Sequence, residues 1–252
     1  MDMRYFILGL AGFIFAAFAV YAPASFAQSS QPIYRPYQQQ KKKPPVKESM
    51  AADILYNNAA QNLIDGRSAK FNYMNLRGLY YQTRQYDPLG EETVRKIQDL
   101  AYNVQSTENF RAIDEALAQY NGLLKAHIAN LAVVSQAIAL AKQDTRFGDA
   151  QFLTRVRRGL FDSVIHSGDG MTLDGAYDVI TMDEEVLLLS HLNYEVLTTK
   201  LVKTGIIYYN MHYVVERETQ NPYAIFVNVT FPMKRLEAQR TARGTSVEVP
   251  KR

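Results

Sequence analysis

Among the 252 residues there is no cysteine and no tryptophan. Without cysteine the chain forms no disulfide, offers no thiolate to a metal and carries no thiol nucleophile. It also lacks the cysteine to which a lipoprotein's lipid is attached. Several reaction signatures are missing as well. No Gly-x-x-x-x-Gly-Lys-Ser/Thr phosphate loop, Gly-x-Ser-x-Gly nucleophile turn or His-Glu-x-x-His zinc helix occurs. Gly168-x-Gly170 falls short of a dinucleotide loop, because Leu173 stands where the third glycine belongs. A spanning helix needs about 20 apolar residues. The run from Tyr5 to Val20 stops short of that, and Pro23 follows it.

What the N-terminus does have is an address. A cation at Arg4, the apolar run, and small residues at Ser25 and Ala27 follow in the order of a Sec-type signal peptide cut after Ala27. The expectation is a periplasmic or secreted protein with residues 1–27 as its signal peptide. Residues 28–49 are rich in Gln, Lys and Pro and read as a disordered linker, with too little apolar surface to offset chain entropy. Residues 234–252 read as a basic flexible tail. Between them, residues 50–233 suit a single domain with a sizeable core.

The overall charge of +3 is unevenly spread. In the linker, Arg35, Lys41, Lys42, Lys43 and Lys47 face only Glu48. In the tail, Lys234, Arg235, Arg240, Arg243, Lys251 and Arg252 face Glu237 and Glu248. The domain between is therefore acidic, and the basic character belongs to the ends. A nucleic-acid-binding domain concentrates cations on its fold, so no nucleic-acid partner is expected. An envelope protein or a cell-wall polymer is the expected partner. Membrane contact is expected only through an uncut signal segment, or weakly through the basic ends.

The first two-thirds of the domain has helical spacing. Ala51, Ile54, Leu55, Ala59 and Leu63 mark one helix, ended by Asp65-Gly66. A second is predicted over Phe71–Tyr81. Asp87 is expected to cap a third, with Pro88 at its first position and Glu91 and Glu92 in its first turn. Residues 108–140 read as two helices broken near Gly122, and Ala150–Ile165 as one more. Helix pairs with alanine at close contacts resemble helical-repeat proteins, but no 34-residue period is present, and a plain bundle is the simpler reading.

After the loop His166-Ser167-Gly168-Asp169-Gly170 the period changes. Tyr177–Ile180 reads as a short strand and Thr181 to Glu184 as a capping box. Tyr194–Val202, Ile206–Glu216 and Tyr223–Phe231 then alternate as three strands. On the second of these, Ile207, Tyr209, Met211, Tyr213 and Val215 form the face expected to turn toward the helices. The fold class is α+β, an N-terminal helical bundle followed by a small antiparallel β-meander.

Leu79-Tyr80-Tyr81, Tyr86-Asp87-Pro88, Ser167-Gly168-Asp169-Gly170, Ala176-Tyr177-Asp178-Val179-Ile180 with Asp183-Glu184-Glu185, and Ile225-Phe226-Val227-Asn228-Val229 together resemble a family of exported bacterial proteins of unknown function. The resemblance covers residues 71–231. It implies export and a shared fold, and no reaction.

Candidate chemistry centres on one loop. His166 or His212 as base, Asp169 or Asp178 as orienting carboxylate and Ser167 as nucleophile would make a hydrolytic site. The same oxygens suit Ca²⁺ in kind, but their spacing is not that of an EF-hand, and no metal or cofactor is assigned. The rival reading is a non-catalytic binding or scaffolding module. Its support is the 17 tyrosines, with Tyr80, Tyr81 and Tyr86 as the candidate contact surface.

Overall fold

The computed structural model describes residues 50–67, 71–218 and 220–242. The chain divides into Met1–Lys42 and Lys43–Arg252, and every described residue belongs to the second unit. The expected signal peptide and the expected linker lie outside the described residues, as do residues 243–252. No described helix is long and apolar enough to cross a membrane.

The fold is α+β. Helices come first: α1 (Met50–Ile64), α2 (Tyr73–Tyr80), α3 (Glu91–Ser106), α4 (Phe110–Ala126), α5 (Leu131–Gln143) and α6 (Ala150–Ile165). The strands β1 (Tyr177–Asp178), β2 (Tyr194–Thr204), β3 (Ile207–Glu216) and β4 (Pro222–Asn228) follow. Helix α7 (Met182–His191) lies between β1 and β2, and α8 (Thr230–Ala242) closes the described chain.

The break in residues 108–140 falls at His127–Asn130, not at Gly122, which sits inside α4. Asn130 decides the place. Its side-chain oxygen accepts from the backbone N–H groups of Ala132 and Val133 and so caps α5. Asp87 does not cap α3. Its Oδ1 accepts from Leu89 and Gly90 N–H in a tight turn, its Oδ2 accepts from the Thr93 hydroxyl, and Gly90, at φ +72°, is the residue before the helix.

The sheet runs in the order β1-β4-β3-β2. The meander β2-β3-β4 is antiparallel, as its alternation predicts. β1 is a correction to that picture, because it pairs parallel to β4, Tyr177 with Val227 and Asp178 with Asn228. The face of β3 turned toward α7 is the reverse of the expected one, although Tyr209 on the expected face is also buried. Asn210 and His212 reach the α7 carboxylate of Glu185, and Tyr208, His212 and Val214 are buried, whereas Tyr213 is exposed. Hydrophobicity alone pointed to the Ile207–Val215 face. The polar partners on α7 turned the strand over.

Residues 234–242 are helical and not a flexible tail, so the domain extends to Ala242. Phe231 stacks on Tyr81 with ring centroids 3.8 Å apart, Arg235 Nη2 donates to the Arg84 carbonyl, and the Tyr208 hydroxyl donates to Glu237. Two hydrophobic cores result. One fills the space among α1 to α6 around Tyr56, Tyr80, Tyr120 and Ile138. The other lies against the sheet and joins Val164, Leu188, Val214, Ile225 and Val227. Residues of α6 and α7 contribute to both.

Candidate functional site

The loop expected to carry chemistry does not assemble it. His166 follows α6 as its cap and is exposed, with Nδ1 2.6 Å from the Asp162 carbonyl one turn back. The Ser167 hydroxyl donates to the Val164 carbonyl and accepts from the Asp178 backbone N–H. Asp169 Oδ1 accepts from Met171 N–H, and Asp178 Oδ1 accepts from the Asn228 amide. Each side chain thus satisfies local backbone or an adjoining strand, and the serine hydroxyl is committed to the turn. Asp169 and Gly170 N–H both donate to the Gly175 carbonyl, and Phe226 N–H donates to the Gly170 carbonyl. The loop is a clasp that fastens α6 to β4.

Its glycines are there for space. A Cβ on Gly168 would lie 2.3 Å from the Gly175 carbonyl oxygen, and Gly170 holds φ +70° with the Tyr177 ring 2.6 Å from where its Cβ would be. Among the described residues no three His, Asp or Glu side chains group so as to hold a metal ion.

Tyr80 and Tyr86 are interior, with 0% and 4% of their surface exposed. The contact-surface expectation for these two does not match their place. Tyr80 packs edge-on to Tyr86, and the Tyr86 hydroxyl donates to the Ile180 carbonyl. Tyr81 is partly covered by Phe231.

The charged centre of the molecule lies elsewhere, on Glu184 and Glu185 at the start of α7. In sequence, Thr181 to Glu184 reads as a capping box. Half of that capping box is present: the Thr181 hydroxyl accepts from Glu184 N–H. The Glu184 carboxylate turns inward instead. It meets Arg77 of α2 at two points, Nε to Oε1 at 3.1 Å and Nη2 to Oε2 at 2.7 Å, and accepts from Ile180 N–H. Arg77 also donates to the Ser163 hydroxyl and the Asp178 carbonyl. The pair is fully hydrogen-bonded, which is the condition for burying two charges at tolerable cost.

Glu185 points the other way, into the sheet. Its Oε1 is 2.5 Å from His212 Nε2, and both carboxylate oxygens accept from the Asn210 amide. His212 Nδ1 lies 2.8 Å from the Thr199 hydroxyl on β2. With a neutral ring, Nε2–H donates to Glu185 and Nδ1 accepts the Thr199 proton. A line therefore runs from a buried carboxylate through a buried imidazole to a residue at the surface. Sequence reasoning noticed His212 but had no way to join it to Glu185, 27 positions earlier. The one available signal was a histidine and an asparagine alternating on a strand otherwise apolar.

A separate polar group ties the helical core. The Tyr80 hydroxyl accepts from Asp87 N–H and is 2.8 Å from His127 Nδ1; with the ring proton on Nε2, the hydroxyl proton goes to Nδ1. Burial pushes the Tyr80 hydroxyl well up from its ordinary range and keeps it protonated. Burial also holds His127 below its ordinary 6.5, against the pull of Asp87.

Two open surface features stand out among the described residues. Shallow concavities lie between α3 and α4, lined by Leu100, Gln119, Gly122 and Leu123 among others, far in sequence from the residues above. The other is the free side of β2. As the last strand of the sheet it is paired on one side only among the described residues, and Leu197 and Leu201 are 60% and 53% exposed. Ile206, in the turn to β3, is 60% exposed. No family model, curated protein or solved structure matches this chain.

Proposed function

We propose that this is an exported protein of the cell envelope that binds or scaffolds, and that it does so through β2. The observation that carries the reading is the long outer strand. It runs for 11 residues without proline and carries exposed apolar side chains along an unpaired edge. Such an edge presents a row of N–H and C=O groups to an added strand. The N-terminal address and the resemblance to exported proteins supply the compartment.

The test is a photo-crosslinking amino acid at Leu201, in cells expressing the full chain, followed by fractionation. The expected result is a crosslinked species of defined mass in the envelope or periplasmic fraction. Uncut protein in the cytosol with no crosslink ends the proposal.

A second reading has a specific observation behind it. Glu185, His212 and Thr199 stand in the order of orienting group, base and hydroxyl nucleophile. This moves the hydrolase alternative away from the His166 to Asp178 loop. Labelling of Thr199 by a fluorophosphonate, lost in His212→Gln, would support it. Absence of any adduct on Thr199 would remove it.

A further inference from the structure

The free edge of β2 is complementary to itself, and we infer that its partner is a second copy of this chain. The inference rests on the reading of β2 as a docking edge. It begins with the pairing to β3. Val196 faces Val214 and Thr198 faces Tyr213, so Leu197 is the extra residue of a bulge. Beyond the bulge the alternation is reset. Glu195 and Lys200, which oppose Val215 and Met211, therefore share one face of the sheet. Tyr194, Val196, Thr199 and Leu201, which oppose Glu216, Val214, His212 and Asn210, share the other.

Two antiparallel copies of β2 related by a two-fold axis must pair residues of like face. With the axis at Thr198, Glu195 of each copy stands opposite Lys200 of the other. Tyr194 stands opposite Leu201, and Val196 opposite Thr199. Shifting the axis to Thr199 sets Glu195 against Val202, and shifting it to Lys200 sets that lysine against itself. Glu195 and Lys203 lie on opposite faces and cannot meet directly. The Thr198 register therefore uses the strand's charges, and it uses them twice by symmetry.

This arrangement also closes. It joins two four-stranded sheets into one of eight strands and consumes both long edges. The outer strand left at each end is β1, which has two residues. β1 covers only Val227 and Asn228 of β4, and the rest of that outer edge is short. It starts at Pro222, which has no N–H, and the Phe226 N–H is already taken by Gly170, so a further copy has little to pair with and growth stops at two.

The experiment is sedimentation velocity on the purified full chain and its charge variants across a range of concentrations. Wild type is expected to dimerise. Glu195→Lys alone or Lys200→Glu alone sets like charges opposite each other twice, and should weaken the dimer at least about tenfold. The double variant Glu195→Lys with Lys200→Glu restores opposite charges and should recover most of the loss. Circular dichroism on each single variant checks that it folds. A dimer insensitive to both reversals, or one that the double variant fails to restore, overturns the register. Wild type that stays monomeric while Leu201 crosslinks to a different envelope protein overturns this inference and leaves the proposed function standing. A monomer with no crosslink at all overturns both.

Discussion

Arg77 and Glu184 meet through two hydrogen bonds, 107 residues apart, where almost no water reaches either side chain. Four segments converge on the pair: α2 with the guanidinium, α6 with Ser163, the β1 strand with the Asp178 carbonyl, and the stretch entering α7 with Ile180 N–H. Removing one partner leaves the other charge buried alone. Arg77→Met should therefore cost roughly 3–5 kcal/mol in chemical denaturation. Arg77→Met combined with Glu184→Gln should cost much less than the two single variants added together. Strict additivity would show that the two residues do not act as a pair.

The glycine clasp makes a sharper comparison. Gly170→Ala brings a methyl into the Tyr177 ring at a positive φ, and a loss of about 2 kcal/mol or more is expected. Gly205 holds a similar φ of +60° in the β2–β3 turn, with nothing within 4 Å of a Cβ. Gly205→Ala should lose only about 1 kcal/mol, the cost of the left-handed backbone angle with no side-chain clash. Equal losses from the two would mean that backbone angle, not the ring contact, sets the cost.

His127 gives a pH dependence whose sign can be worked out. Its folded pKa is held below 6.5 by burial, and the neutral ring accepts the Tyr80 proton. Below pH 6.5 the unfolded chain takes up a proton that the folded chain refuses. This contribution to stability is thus intact above pH 6.5 and is lost as the pH falls from there toward the lower folded value. Urea midpoints measured from pH 7.5 to 5 should fall for wild type and fall less for His127→Gln. Parallel curves would remove His127 as the cause.

Helix α8 carries a prediction about length. A chain ending at Met233 loses the Arg235 to Arg84 bond and the Tyr208 to Glu237 bond. The cost should be about 1–3 kcal/mol, read as a lower melting temperature than that of the full chain. An unchanged melting curve would show that α8 adds nothing to the body it rests on.

Period and turn chemistry made most of the architecture readable. Leu76 and Tyr80, or Ile225 and Val227, declare their elements because apolar spacing follows backbone geometry directly. The position of Gly122 misled, since a lone glycine in a helix costs only about 1 kcal/mol and Asn130 offered a better place to stop. The buried face of β3 was misread for a different reason. Its inward side carries Asn210 and His212, which are suited to the core only because Glu185 waits there. Arg77 was hidden in the same way, as a cation one residue from Leu76 whose partner is far along the chain. Local pattern finds what water drives inward. It does not find polar groups that go inward together, because each looks misplaced until the other is known.

The position of β4 has a bearing on how the chain matures. It lies between β1 and β3, yet it is made after both. Until it emerges, those two strands share no neighbour, and the clasp residue Gly170 lacks the Phe226 amide that fastens it. β2 and β3 can pair as soon as both are made, but the four-stranded sheet is completed only when the chain through Asn228 is free, an order compatible with the proposed export.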